Sequence, residues 1–242
     1  QDESLLKAYL NMAPSQTIKW IESGKNPSQQ NVEIEGTEPY IVGGHTASGY
    51  WVDTKRATTI DGLFAGGDVA GGCPQKYVTG ALAEGEIAGM SAVEYVNSHT
   101  QAPQLEDEIT DKHIAEVGEF LTKKDTRYTT EELEEAMQTV MDSYAGGIKT
   151  NYRFNEKQLD IADYKIKQLI KLSGSLYAED FQELMYIYEL RERLTVCRSV
   201  IAHLKARKET RWHSFAENLD YPNKDDKNFN KYVNSRLENG EI

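Results

Sequence analysis

The stretch that most constrains this chain runs from Thr58 to Gly72, Thr-Thr-Ile-Asp-Gly-Leu-Phe-Ala-Gly-Gly-Asp-Val-Ala-Gly-Gly, with small residues following at Val78-Thr79-Gly80-Ala81. A short apolar run, Leu63-Phe64-Ala65, ends in a glycine pair and an acid. Glycine lets a backbone approach a ligand closely, and Asp68 offers an acceptor to that ligand's hydroxyl groups. Helix N-termini carry partial positive charge on their free amides, so Val78 to Leu82 form a second, complementary feature. Strand end, bare turn and helix start in that order read as a backbone that meets a nucleotide. Taken alone, Gly66-Gly67-Asp68 reads equally well as an ordinary strand-to-loop junction.

The surrounding pattern predicts two kinds of architecture. Short extended runs, Pro39-Tyr40-Ile41-Val42 and Tyr50-Trp51-Val52, close on Leu63-Phe64-Ala65 and read as the last strands of a larger α/β sheet. Val78 to Val96 carries Ala81, Leu82, Gly85, Ile87, Ala88, Ala92, Val93 and Val96 at helical spacing, which predicts a helix packed closely on that sheet. Before these, Gln1 to Glu38 combines an amphipathic piece (Leu5, Leu6, Tyr9, Leu10) with the polar loop 23–30. After Pro103 the composition becomes acidic and helical, which marks a domain boundary. Thr129 with Glu132, and Asn155 with Gln158, are capping boxes. The first precedes the apolar face Leu133, Ala136, Met137, Val140, Met141 and Tyr144 and a Gly146-Gly147 stop. The second precedes Leu159, Ala162, Ile166, Leu169 and Ile170, and a longer helix is expected from about Ala178 to Glu209.

Charge and cysteine usage narrow the function classes. A formal net charge of -12 over 242 residues disfavours a nucleic-acid partner, which needs a contiguous basic surface. A hydrophobic share of 39%, 27% charged residues and the lack of a long apolar run predict no membrane span, and no signal peptide is visible at Gln1. Cys73 and Cys197 are isolated, so this chain alone supplies no zinc or iron-sulfur ligand set. Two lone cysteines fit a reducing cytoplasm.

Three further residues are candidates for chemistry. His45 sits between glycines in Gly43-Gly44-His45-Thr46-Ala47-Ser48-Gly49, which fits close approach of a planar ligand and fits equally a loop histidine that satisfies backbone groups. Lys76 stands in Cys73-Pro74-Gln75-Lys76-Tyr77, directly ahead of the helix start. Arg211, beside Trp212, reads as a ligand for an anion or aromatic base, or as an ion-pair partner of Glu209 or Glu217. His99, His113, His203 and His213 share no metal-binding spacing.

Taken together, Gly44-His45-Thr46, the 59–68 strand, the Gly80-Ala81-Leu82-Ala83-Glu84-Gly85 helix start and Arg207-Lys208-Glu209-Thr210-Arg211 resemble the flavoprotein subunits of fumarate reductase and succinate dehydrogenase. Longer strings shift the resemblance to the branch of dissimilatory adenylylsulfate reductase alpha subunits. These are Gly43 to Trp51, Gly71 to Ala81, and Glu209-Thr210-Arg211-Trp212 through Asn218-Leu219-Asp220-Tyr221-Pro222. Where the dicarboxylate enzymes place Asn-Arg-Leu ahead of the flavin helix, this chain has Gln75-Lys76-Tyr77, so the arginine that holds a dicarboxylate is absent.

The resemblance implies an incomplete α/β FAD-binding portion, three-layered and Rossmann-like, followed by an all-α C-terminal domain. It divides the chain into the end of a capping domain (1–38), the C-terminal part of the FAD-binding domain (39–98) and a helical domain (99–242). The glycine fingerprint for the FAD pyrophosphate is missing, so FAD is expected to be shared with an N-terminal part of a longer protein. The implied activity is reversible reduction of adenosine 5'-phosphosulfate to sulfite and AMP through a sulfite adduct at flavin N5. Electrons are expected from a beta subunit carrying two [4Fe-4S] clusters, in a cytoplasmic heterodimer. Gly44, His45, Thr46, Gly67, Asp68 and Val78, Thr79, Gly80, Ala81 and Leu82 are the implied flavin contacts. His45 and Arg211 are implied as catalytic, and His45 and Lys76 as substrate-binding. A fumarate reductase-like activity, or a noncatalytic helical module docking onto an iron-sulfur partner, are the alternatives.

Overall fold

The computed structural model describes residues 14–27, 29–32, 48–72, 78–101, 104, 106–122, 127–211 and 216–242, with positions 7 and 10 besides. The chain divides into two compact units, Gln1–Ile41 and Val42–Ile242. In the first, helix α1 (Pro14–Glu22) buries Thr17 and Trp20 while Ile18 and Ile21 are exposed. The amphipathic piece expected around Leu5 to Leu10 falls almost wholly outside the described residues, although Lys7 and Leu10 are helical.

The second unit opens with a tight hairpin-like segment instead of full strands. Asp53 donates its N–H to the Ala57 carbonyl, Ala65 to Arg56, and Thr58 to Leu63. Single bridges pair Ala57 with Phe64 and, in parallel, Tyr50 with Ala70. The strands expected at Tyr50-Trp51-Val52 and Leu63-Phe64-Ala65 are therefore isolated bridges among the described residues, and 39–42 lies outside them. A strand needs a neighbour for each row of its backbone donors and acceptors, and here only a local turn supplies one. The Tyr50–Ala70 bridge depends on Gly49 (φ +142), where an added Cβ would lie 2.5 Å from the Gly71 nitrogen.

Helix α2 (Val78–Ser98) forms where the small-residue periodicity predicts it. The face it buries differs from expectation. Glu84 and Ser91 are buried, whereas Leu82, Met90, Val93 and Val96 are each more than 60% exposed. Among the described residues, the 53–69 segment packs on α2. It does so through an edge-to-face contact of Phe64 with Tyr95, a Tyr95 hydroxyl donation to Asp61 (2.8 Å) and an ion pair of Lys55 with Glu94 (2.9 Å). The apolar side of α2, with Leu82, Met90, Val93 and Val96, has no cover within the described chain.

The helical part is a conventional packed core. Helices α3 (Asp107–Thr122), α4 (Thr130–Tyr144), α5 (Glu156–Ser173) and α6 (Phe181–Ala206) carry it. Both predicted capping boxes form: Thr129 with Glu132 opens α4, and Asn155 with Gln158 opens α5. Leu133, Met137 and Val140 of α4 are buried, as are Leu159, Ala162, Ile166 and Leu169 of α5, in the positions that the 3.6-residue period selects. Helix α6 contributes Leu184, Ile187, Leu190, Leu194 and Ile201. Each such side chain contributes roughly 1.5–3 kcal/mol on burial.

The ends of α6 differ from the sequence expectation for identifiable reasons. Ala178 is fully buried and donates its N–H to the Phe120 carbonyl, while Asp180 accepts from the Glu183 N–H as N-cap, so the helix starts at Phe181. Beyond Ala206, Arg207 turns extended and Thr210 donates its N–H to the Asn223 carbonyl, which draws the chain into a loop. That loop adds a two-residue parallel pairing of β1 (Arg153–Phe154) with β2 (Glu217–Asn218) and ends in the short helix α7 (Asp226–Phe229). This small sheet lies within the helical part, and the α/β layer expected for a Rossmann-like portion is not seen among the described residues. No described helix is long and apolar enough to cross a membrane.

Candidate functional site

The glycine-acid turn and the start of α2 come together in space. Gly67 to Val69 form a single 3-10 turn, Gly67 is buried at φ +73, and Asp68 is exposed. A Cβ added at Gly67 would touch the Ala81 Cβ at 3.4 Å, so the turn lies directly on the first turns of α2. Positive φ and close contact together select glycine here. On the open side of the same helix start, Val78 and Leu82 are 75% and 69% exposed. An exposed carboxylate beside the first turns of a helix offers an acceptor for hydroxyl groups next to amides that carry partial positive charge. That pairing fits a flavin nucleotide.

One residue at this junction was not singled out by sequence reasoning. Glu84, buried on α2, accepts the Gly67 N–H at Oε2 (3.0 Å) and lies 3.4 Å from Arg56 Nη2 at Oε1. Arg56 itself has φ +65 and is held by a turn in which Asp53 Oδ1 accepts the N–H groups of Lys55 and Ala57. No sequence signal separates Glu84 from Glu86 and Glu94 of the same helix; burial does. Periodicity alone assigned that helix's buried face to alanines and valines.

Gly44, His45 and Thr46, and likewise Lys76, lie outside the described residues, as does Cys73. Arg211 is described, and it sits in a different cluster. Its Nε and Nη2 donate to both carboxylate oxygens of Glu209 (2.8 and 3.0 Å), and Nη1 donates to Asp226 (2.8 Å). Glu209 also accepts from Arg207 Nη1 (2.7 Å) and from the Asp225 N–H (2.8 Å). Burial pushes the Glu209 carboxyl up, but Arg211, the Asp225 amide and Arg207 outweigh it and hold it below the usual carboxylate range. Thr210 completes the knot, with its hydroxyl donating to the Tyr221 carbonyl (2.9 Å) and accepting from the Asn218 N–H (2.9 Å). Of the alternatives read for Arg211, the structure realises the ion pair with Glu209, while Glu217 pairs with Arg153.

Three other histidines have local partners, and His213 lies outside the described residues. His99 stacks on Tyr95 with ring centres 3.9 Å apart, His203 bonds Ser235, and His113 lies 3.8 Å from Glu116. Among the described residues no group of three or more His, Cys, Asp or Glu is arranged to hold a metal.

Residues 134–241 match the family described as fumarate reductase flavoprotein C-term. Nearly the whole chain is similar to adenylylsulfate reductases. It is 26% identical to the adenylylsulfate reductase subunit alpha of Megalodesulfovibrio gigas over 95% of its length. It superposes on the adenylylsulfate reductase structure from Archaeoglobus fulgidus with a TM-score of 0.82 at 30% identity, over 93% of the chain. An adenosine-5-phosphosulfate reductase in complex with sulfite, as a covalent adduct, matches with a TM-score of 0.83 at 29% identity, also over 93% of the chain. In each case this chain spans about 40% of the relative's length.

Proposed function

We propose that this chain is the flavin-facing and helical part of an FAD-dependent oxidoreductase that reversibly reduces adenosine 5'-phosphosulfate to sulfite and AMP in dissimilatory sulfur metabolism. The observation that carries the reading is the Gly67-Asp68 turn seated on the first turns of α2, with Asp68 exposed beside the helix N-terminus. Similarity at up to 30% identity to adenylylsulfate reductases over nearly the whole chain supports the choice of branch.

In this reading 39–98 belongs to an FAD-binding domain, 1–38 to a capping domain and 99–242 to the helical domain. The uncovered apolar side of α2, from Leu82 to Val96, supports a place inside a larger flavin domain. FAD supplies the two-electron chemistry when bound. Asp68 and Gly67 hold its hydroxylated chain, and the Val78, Thr79, Gly80, Ala81 and Leu82 backbone stabilises negative charge at its pyrimidine end. By the resemblance, Gly44 and Thr46 would be flavin contacts, and His45 and Lys76 would bind the anionic substrate. The geometry of Arg211, three of whose N–H groups go to Glu209 and Asp226, supports a role in holding the helical domain's loop. Electrons enter from an iron-sulfur beta subunit with two [4Fe-4S] clusters, in a cytoplasmic heterodimer.

The family description also names fumarate reductase, so a dicarboxylate activity is the second reading. One experiment separates them. The holoprotein's visible flavin band is recorded with and without sulfite, alongside turnover with adenylylsulfate and with fumarate. Bleaching by sulfite and turnover of adenylylsulfate alone are expected, and His45→Ala is expected to lose both while keeping FAD bound. Fumarate turnover without bleaching would select the second reading.

A further inference from the structure

We propose that Glu84 is the positioning residue for the Asp68 turn, holding the backbone from which Asp68 reaches the flavin; the inference rests on the reading of Asp68 as a flavin ligand. Its side chain is buried, unlike the exposed Glu86 and Glu94 of the same helix, and a buried carboxylate is costly unless it is fully used. Both oxygens are used. Oε2 takes the Gly67 N–H at 3.0 Å, and Oε1 faces the Arg56 guanidinium at 3.4 Å.

The bond to Gly67 acts on the residue immediately before Asp68. Gly67 adopts φ +73, a conformation that its own backbone tolerates but does not select, so an external anchor is needed to keep the turn in one state. A charged acceptor is the strong form of such an anchor. Arg56 then fixes the carboxylate. It is fixed in turn by donation from Nη1 to the Asp53 carbonyl (3.2 Å) and by the Asp53 turn that accommodates its own positive φ. The relay runs Asp53, Arg56, Glu84, Gly67, and ends at Asp68. Helix packing does not demand the acid: the α2 backbone passes 3.1 Å from where a Gly66 Cβ would stand, a contact that any residue at 84 would make.

The test uses the holoprotein and four variants, Glu84→Ala, Glu84→Gln, Asp68→Ala and the Asp68→Ala/Glu84→Gln double variant, with FAD dissociation constants and flavin spectra measured on folded material. Glu84→Ala is expected to weaken FAD binding on the order of ten- to a hundredfold, and Glu84→Gln, which keeps an acceptor for Gly67, to weaken it less. In the Asp68→Ala background Glu84→Gln is expected to add no further loss, because the two act through one contact. Wild-type FAD affinity in folded Glu84→Ala, or independent losses in the double variant, would overturn the proposal. If Glu84→Ala does not fold, the Glu84→Gln comparison across the two backgrounds decides it. Unchanged FAD binding in Asp68→Ala would instead reject the flavin reading of the turn itself.

Discussion

At Glu209 a carboxylate with no exposed side-chain surface is enclosed by Arg207, Arg211 and the Asp225 amide, and the consequence is a dependence on pH. Its proton affinity in the folded protein lies below that of the unfolded chain, because the two guanidiniums and the amide prevail over burial. A carboxyl lowered in this way contributes stability that is fully present above its unfolded pKa and is lost as pH falls through the folded value. The helical domain is therefore expected to lose stability as pH drops through roughly 4 and below. Glu209→Gln is expected to flatten that acid slope and to cost about 2–3 kcal/mol at neutral pH, read from urea denaturation across a pH series. Reading Arg211 from sequence left a ligand role and an ion-pair role open, because residue type fixes only the charge. Which carboxylate comes within 3 Å is decided by a loop that returns to it across 15 residues, from Asp226.

Elements whose signals are local were legible. The boxes at Thr129 and Asn155 form with both reciprocal bonds, since the partners are three residues apart and the helix itself brings them together. Thr129→Ala and Asn155→Ala are each expected to destabilise the helical domain by about 1 kcal/mol, as a shift of the urea midpoint at unchanged slope. Helix α2 is the contrary case. Its existence follows from its small residues, but its buried face is Glu84 and Ser91, because burial is set by whichever surface packs on a helix. The strands read at Tyr50 and Leu63 reduce to bridges for the same reason: pairing is a property of two segments and cannot be read from one.

Over the whole molecule, stability rests on the α4, α5 and α6 core. Leu190, fully buried at its centre, is expected to cost about 2–5 kcal/mol on substitution by alanine, measured by denaturant unfolding of the same protein. The sequence by itself determined the helical domain, its caps and most of its inward faces, because 3.6-residue periodicity and capping act within a few residues. It also determined the glycine-acid turn and, through long specific strings, the adenylylsulfate reductase resemblance to which nearly the whole chain superposes. Only the tertiary structure decided that Arg211 is caged by Glu209 and Asp226, that the apolar side of α2 is uncovered within the described chain, and that Glu84 anchors the Asp68 turn. The Gly67–Glu84 and Arg211–Asp226 bonds behind them join residues 17 and 15 positions apart, and their geometry exists only once the intervening chain has folded.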